Sequence, residues 1–213
     1  MRDPYLFPGE DVLRNKLDIH DQKLLDEAEA DYVSYLLKDI VINPIPGNYH
    51  TNHLLKMHWY IFQDLYDWAG EPRVISIYKE EPILGGQSIE YSDPFDIVPD
   101  IHHVLSDVRE KSWSAMDRDT LSDEFSDFLA RLWKIHPFRE GNTRTTVTFC
   151  CQFIDEAGRE INRALFESNA RYVRTALVAY NAFFADGNDF SKKNIFVELY
   201  MIPLLENEKL IME

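Results

Sequence analysis

The chain has 213 residues, 45% of them hydrophobic and 28% charged, which is the composition of an ordinary globular protein able to bury one sizeable core. Its 37 acidic against 22 basic residues leave a net charge of -15 and exclude broad nucleic-acid binding, because that requires a basic face to displace counterions. A single nucleotide in a local positive pocket stays compatible with that charge.

Helical periodicity dominates from the N-terminus onward. The opening MRDPYLFPGEDVLRNK has no basic start followed by an apolar stretch, so no signal peptide is expected, and no run of about 18 apolar residues predicts a membrane span. Asp21 is placed to cap a first helix carrying Leu24, Leu25, Ala28, Tyr32 and Leu36. A second, from His50 to Trp68, sets Leu54, Met57, Ile61, Leu65 and Trp68 on one face, with Gly70 as its stop. Residues 73–78, RVISIY, are β-branched and short, and QSIEY at 87–91 is their expected return strand, giving a small hairpin that projects from the helical body.

Asp93-Pro94 then introduces a helix with Ile97, Ile101, Val104, Leu105 and Val108, and Thr120 with Asp123 resembles a capping box ahead of Phe125, Phe128, Leu129, Leu132 and Trp133. The segment from Asn142 to Ala157 is apolar nearly all round in its second half, as expected of a central helix, and Gly158 ends it. Cys150 and Cys151 lie in it side by side, which excludes a disulfide framework and points to a reduced, cytoplasmic setting. A further helix runs through Tyr172, Val173, Ala176, Leu177, Tyr180 and Phe183, and a last one lies around Phe196 to Leu205.

The stretch HPFREGNTRT, residues 136–145, sits between the fourth helix and the central one. Helix N-termini expose unpaired N–H groups and attract anions, and Gly141 lets backbone approach a ligand. Asn142 and Thr143 add side-chain donors, and Arg144 adds a full positive charge. Glu140 beside such a site is suited to Mg²⁺, which binds through one or two carboxylates and phosphate oxygens. His136 is placed to act as a general base, Phe138 to plug the core, and Arg139 to remain solvated. Taken singly, each of these residues has an ordinary structural explanation; together they are the parts of a phosphate-handling site.

HPFREGNTR is similar to the Fic signature HxFx(D/E)GN(G/K)R. LKMHWYIFQDLYDWAGEPR, residues 55–73, resembles that family's upstream helix, and NARYVRTALVAYNAFF, residues 169–184, its downstream helix. The resemblance implies a mostly α fold, a helical bundle of Fic type with a β-hairpin flap over the active site. It covers about residues 5–190; the domain is expected to span 1–190, with 191–213 as a helical extension packed on it. It implies transfer of AMP from ATP, with Mg²⁺, to a Ser, Thr or Tyr hydroxyl of a target protein. His136 would deprotonate the hydroxyl, Glu140 hold the metal, Gly141, Asn142 and Thr143 cradle the phosphates, and Arg144 neutralise the β-phosphate. Val74, Ile75, Ser76, Ile77 and Tyr78 would dock the target as an added strand, and Tyr180 and Asn181 would contact adenine.

Two positions depart from the family's fuller form, GNGRxxR. Thr143 replaces a glycine, or the lysine of members that transfer phosphate, and Val147 replaces a second arginine directed to the γ-phosphate. The family's inhibitory motif, (S/T)xxxE(G/N), is not matched, which leaves room for a separate antitoxin-like inhibitor. Phosphate transfer from an inverted nucleotide and a non-catalytic nucleotide-binding module are the alternatives. His50, His53 and His58 form no recognised metal-ligand spacing.

Overall fold

A computed structural model of the protein describes residues 3–184 apart from Glu160 and Asn162. The helix expected around Phe196 and the extension at 191–213 lie outside these residues. Among the described residues seven α-helices follow in order: α1 (Gln22–Ile42), α2 (Thr51–Phe62), α3 (Ile97–Arg109), α4 (Arg118–Ile135), α5 (Asn142–Glu156), α6 (Arg163–Ser168) and α7 (Ala170–Phe184). The central helix α5 packs against α4 and α2, while α4 is also lined by α3 and α7. Phe149, Cys150, Cys151 and Ile154 on α5 are buried, as their nearly continuous apolar pattern requires.

Local chemistry accounts for the helix starts. Asp21 caps α1 by accepting from the Leu24 N–H at 3.0 Å. The buried face of α1 is Leu25, Val33, Leu36 and Ile40; Leu24 and Tyr32, expected to share it, are exposed. The second helix ends at Phe62, earlier than its apolar pattern suggests, and Leu65 and Trp68 are buried from the turns that follow. The cap of α4 is Asp117, which accepts from the Thr120 N–H at 2.8 Å, so the expected capping box at Thr120 and Asp123 falls inside the helix. Gly158 adopts a left-handed conformation (φ 79°) after α5.

The segment from 73 to 91 turns back through a short 3₁₀ turn at Pro82–Leu84 but forms no strand ladder. Side chains hold its two limbs instead. The Lys79 N–H donates to Ser88 Oγ (3.2 Å), the Tyr78 hydroxyl to the Gly86 carbonyl (3.1 Å), and the Val74 N–H to the Tyr5 hydroxyl (3.0 Å). Backbone pairing is confined to the tip, where the Glu81 N–H reaches the Gln87 carbonyl at 3.1 Å. Nearer the base, the guanidinium of Arg73 takes the carbonyls of Ile75 and Ser92, and those oxygens are thereby withdrawn from cross-limb pairing. The β-hairpin read from the sequence is thus a side-chain-braced flap.

Candidate active site

The site begins at the end of α4. His136 terminates that helix in a left-handed conformation (φ 52°, ψ 58°), which costs a non-glycine residue about 1–2 kcal/mol. Its N–H closes the helix on the Trp133 carbonyl at 3.1 Å, and its Nδ1 approaches the same oxygen at 3.4 Å. That places the ring proton on Nδ1 and leaves the Nε2 lone pair free. Nε2 is buried and has no hydrogen-bond partner among the described residues. Burial first, and then the charges of Lys79 and Arg174, push the imidazole's pKa well below its ordinary value. A neutral histidine with an unpaired, buried acceptor is equipped to take a proton. Tyr91, on the return limb of the flap, covers the ring with centroids 4.1 Å apart.

The loop that follows is bonded to itself. Asn142 is 2% exposed; its Oδ1 accepts from the Phe138 N–H (2.8 Å) and its Nδ2 donates to the Phe138 carbonyl (2.7 Å). Phe138 is fully buried and stacks on His58 with ring centroids 3.7 Å apart. The side-chain donor expected of Asn142 is therefore committed to the loop. Thr143 is engaged likewise, its Oγ1 accepting from Trp133 Nε1 at 2.8 Å. This accounts for a threonine at 143: the hydroxyl satisfies an indole N–H in the joint between α4 and α5. What remains for an anion is backbone, since the first-turn N–H groups of Asn142, Thr143 and Arg144 have no acceptor within α5.

Gly141 is required for two reasons. Its φ is 79°, and a Cβ there would lie 2.3 Å from the Phe62 ring. Close packing by Phe62 joins ligand approach as the reason for glycine. Arg139, expected in solvent, is paired with Asp3 at 2.8 Å.

The other two charged residues of the loop, Glu140 and Arg144, also have intramolecular partners. Glu140 meets Lys79 of the flap at 3.3 Å, accepts from the Gly141 N–H at 2.9 Å, and lies 3.6 Å from Arg144. Burial alone would raise the carboxyl's pKa, but Lys79, that N–H and Arg144 outweigh it and bring it down to about 2. Arg144 donates to Glu29 of α1 at 2.6 Å and lies over the Phe62 ring at 5.0 Å, while Tyr66 donates to the same Glu29. An ionised carboxylate already holding one cation is a fitting Mg²⁺ ligand. Among the described residues no three His, Cys, Asp or Glu side chains gather as a metal cage, so phosphate oxygens would complete the coordination.

Several contributors were not singled out from sequence. His58 is fully buried, accepts from the Gly70 N–H at Nδ1 (2.8 Å) and donates from Nε2 to the Glu140 carbonyl (3.1 Å), so it braces the loop. Burial lowers its pKa to about 3. His53 is similarly occupied, between the Tyr49 N–H and the Ile45 carbonyl. Lys79, Glu29 and Arg73 come from distant parts of the chain. Only the placement of Arg73 and His58 inside the family-like stretch at 55–73 could have flagged them.

Val74, Ile75, Ser76, Ile77 and Tyr78 line a groove of about 560 Å³ together with Asp93, Pro94, Phe95 and Arg139. Val147 is half-buried and lines a second cavity of about 360 Å³ alongside Lys38, Arg144 and Arg163. Tyr180 and Asn181, the expected adenine contacts, are buried against α4, where Tyr180 donates to Asp127 and Asn181 to the Ala130 carbonyl.

Comparison with known proteins agrees with this arrangement. Residues 48–154, which contain α2 to α5 and the whole loop, match the profile of the Fic/DOC family. Protein adenylyltransferase VbhT of Bartonella schoenbuchensis is 31% identical over 75% of this chain, which spans only 32% of that relative's length. The "Probable protein adenylyltransferase y4lH" of Sinorhizobium fredii is 30% identical over 78% of this chain and 83% of its own. Among solved structures, the N-terminal FIC domain of Bep8 from Bartonella sp. 1-1C superposes with a TM-score of 0.77 at 20% identity, covering 97% of this chain and 96% of that one. BepC of Bartonella tribocorum, with bound AMPPNP, gives 0.73 at 22% identity, covering 91% and 94%. With the signature loop, the helices around it and these relatives in agreement, the chain belongs to the Fic/DOC family.

Proposed function

We propose that this chain is a protein adenylyltransferase, moving AMP from ATP to a Ser, Thr or Tyr hydroxyl of a target protein. The observation that carries the reading is His136, whose Nε2 is buried and unpartnered beside the free N–H groups opening α5. In the reaction, Nε2 takes the hydroxyl proton as the oxygen attacks the α-phosphorus. The bond from that phosphorus to the α–β bridging oxygen breaks, and pyrophosphate leaves. First-turn N–H groups of α5 and the guanidinium of Arg144 face the phosphates, Arg144 leaving Glu29 to do so. Glu140 would hold Mg²⁺, which neutralises charge on the phosphate oxygens.

Adenylyltransferase relatives and an AMPPNP-bound neighbour support this reading. Phosphate transfer by an inverted nucleotide gains nothing from position 143, which carries no cation and gives its hydroxyl to Trp133. Ile77 lines the flap groove and its backbone N–H has no hydrogen bond among the described residues, which suits a target segment lying alongside as an added strand. Incubation with α-labelled and γ-labelled ATP and a cell lysate tests the assignment. Protein-bound label from the α position alone is the expected result; label from the γ position alone would overturn it.

A further inference from the structure

Arg73 is 1% exposed, yet among the described residues it has no carboxylate within ion-pair distance. Backbone carbonyls surround it instead. Its Nε donates to the His136 carbonyl at 2.8 Å, Nη1 to the Ile75 carbonyl at 2.6 Å, and Nη2 to the carbonyls of Ser92 and Ile135, the latter at 3.5 Å. Its own N–H donates to the Pro137 carbonyl at 2.8 Å. Three consecutive carbonyls at the end of α4, those of residues 135, 136 and 137, are thus taken by one residue. A cation at a helix C-terminus also meets the negative end of the helix dipole.

We infer that Arg73 is the positioning residue of this active site, setting the catalytic histidine and the flap in one frame. Two contacts carry the idea. The first is to the His136 carbonyl: with φ and ψ set, the carbonyl and the Cα–Cβ bond are fixed together, so the arginine holds the root of the imidazole without touching the ring. The second is the pair of bonds to Ile75 and Ser92, one on each limb of the flap at its base. The same planar fork therefore sets the spacing between the base and the strand-like edge where a target hydroxyl would be presented. Lysine cannot substitute, because its ammonium has three donors around one atom and no planar fork. Arg73 touches neither the anion-binding N–H groups nor Glu140, so nucleotide binding does not pass through it.

This inference rests on the adenylyltransferase reading, and the test separates the two. Arg73→Lys and Arg73→Met are compared with wild type and with Ile101→Ala, a control that opens a core cavity on α3 at a residue outside the site. Transfer of label from α-labelled ATP, binding of Mg-AMPPNP by calorimetry, melting temperature and the ¹⁵N signals of the His136 ring are measured for each. In Arg73→Lys, kcat is expected to fall at least about tenfold, as misplaced catalytic groups do, with AMPPNP affinity held within about threefold. The His136 ring should change from one fixed tautomer to a mixture. A kcat loss no greater than that of Ile101→Ala at equal loss of melting temperature, or an unchanged ring tautomer, overturns the inference. If Arg73→Met does not fold, Arg73→Lys, which keeps the charge, decides alone. If wild type transfers no label, the adenylyltransferase reading fails, while the ring signals still decide the role of Arg73.

Discussion

The loop from His136 to Arg144 and the flap from 73 to 91 face each other and are built on opposite economies. In the loop, side chains are consumed internally: Asn142 staples Phe138, Thr143 answers Trp133, and Glu140 and Arg144 are paired. Left over are one imidazole nitrogen and the N–H groups that open α5. In the flap, side chains do the bracing, through Ser88, Tyr78 and the ion pair of Glu81 with Arg174, and backbone is what remains unpaired. One region offers rigid chemistry and the other an adaptable edge. The physical root is that a helix cap demands local partners for its polar groups, whereas a flap lacking a ladder leaves its own unsatisfied until another chain arrives.

If the loop is the chemical half, His136→Ala should lower transfer by about 10²- to 10⁴-fold while calorimetric binding of Mg-nucleotide barely changes. Normal turnover in that variant would remove the histidine from the mechanism. Rigidity of the same loop is tested at Gly141. Gly141→Ala meets both the left-handed backbone and the Phe62 ring, and chemical denaturation should show a loss of roughly 2–5 kcal/mol. Unchanged stability would mean that the loop is looser than its hydrogen bonds imply.

At Val147 the loop's helix meets a cavity already lined by Lys38, Arg144 and Arg163. Val147 is half-buried at the edge of open space, so Val147→Arg should fold. A new charge-assisted bond of about 1.5–3 kcal/mol should then raise the preference for ATP over ADP by about 10-fold or more. A folded variant with the wild-type preference would sink the γ-phosphate role of this position.

Acid should weaken the loop before the flap. His58 has a folded pKa of about 3 against 6.5 when free, so the unfolded chain takes up the proton first. Its contribution is complete above about pH 6.5 and is lost as pH falls toward 3; at pH 5 the loss is about 2 kcal/mol. His136, also depressed, acts with the same sign. Melting temperature across that range should fall less in His58→Gln than in wild type, and parallel curves would contradict the linkage.

The smallest effect is expected in the flap. Ile77→Pro deletes an N–H that has no partner among the described residues, so melting should hardly move. Modification of a protein target should drop by a few-fold, about one hydrogen bond of 0.5–1.5 kcal/mol, with nucleotide affinity retained. Equal loss of both would make the segment structural only.

Sequence alone determined the helical class, the central place of α5 and the family, because apolar spacing and a contiguous nine-residue signature are local properties of the chain. Helix faces were legible where the apolar stripe was unambiguous, as in α3, whose five expected core residues are all buried, and less so in α1, where exposed Leu24 and Tyr32 blurred the phase. Only tertiary structure decided how the site's atoms are used. Thr143 and Asn142 read as ligand donors because their partners, Trp133 and the Phe138 backbone, lie across a turn whose geometry spacing does not encode. The flap read as a ladder because β-branched residues favour extended backbone, but pairing is settled by competing acceptors, and Arg73 takes the carbonyls at its base. Lys79 and Glu29 lie 61 and 115 residues from the loop groups they pair with. A charge pair of that separation is a product of folding, formed only when distant segments are brought into a shared, partly buried space.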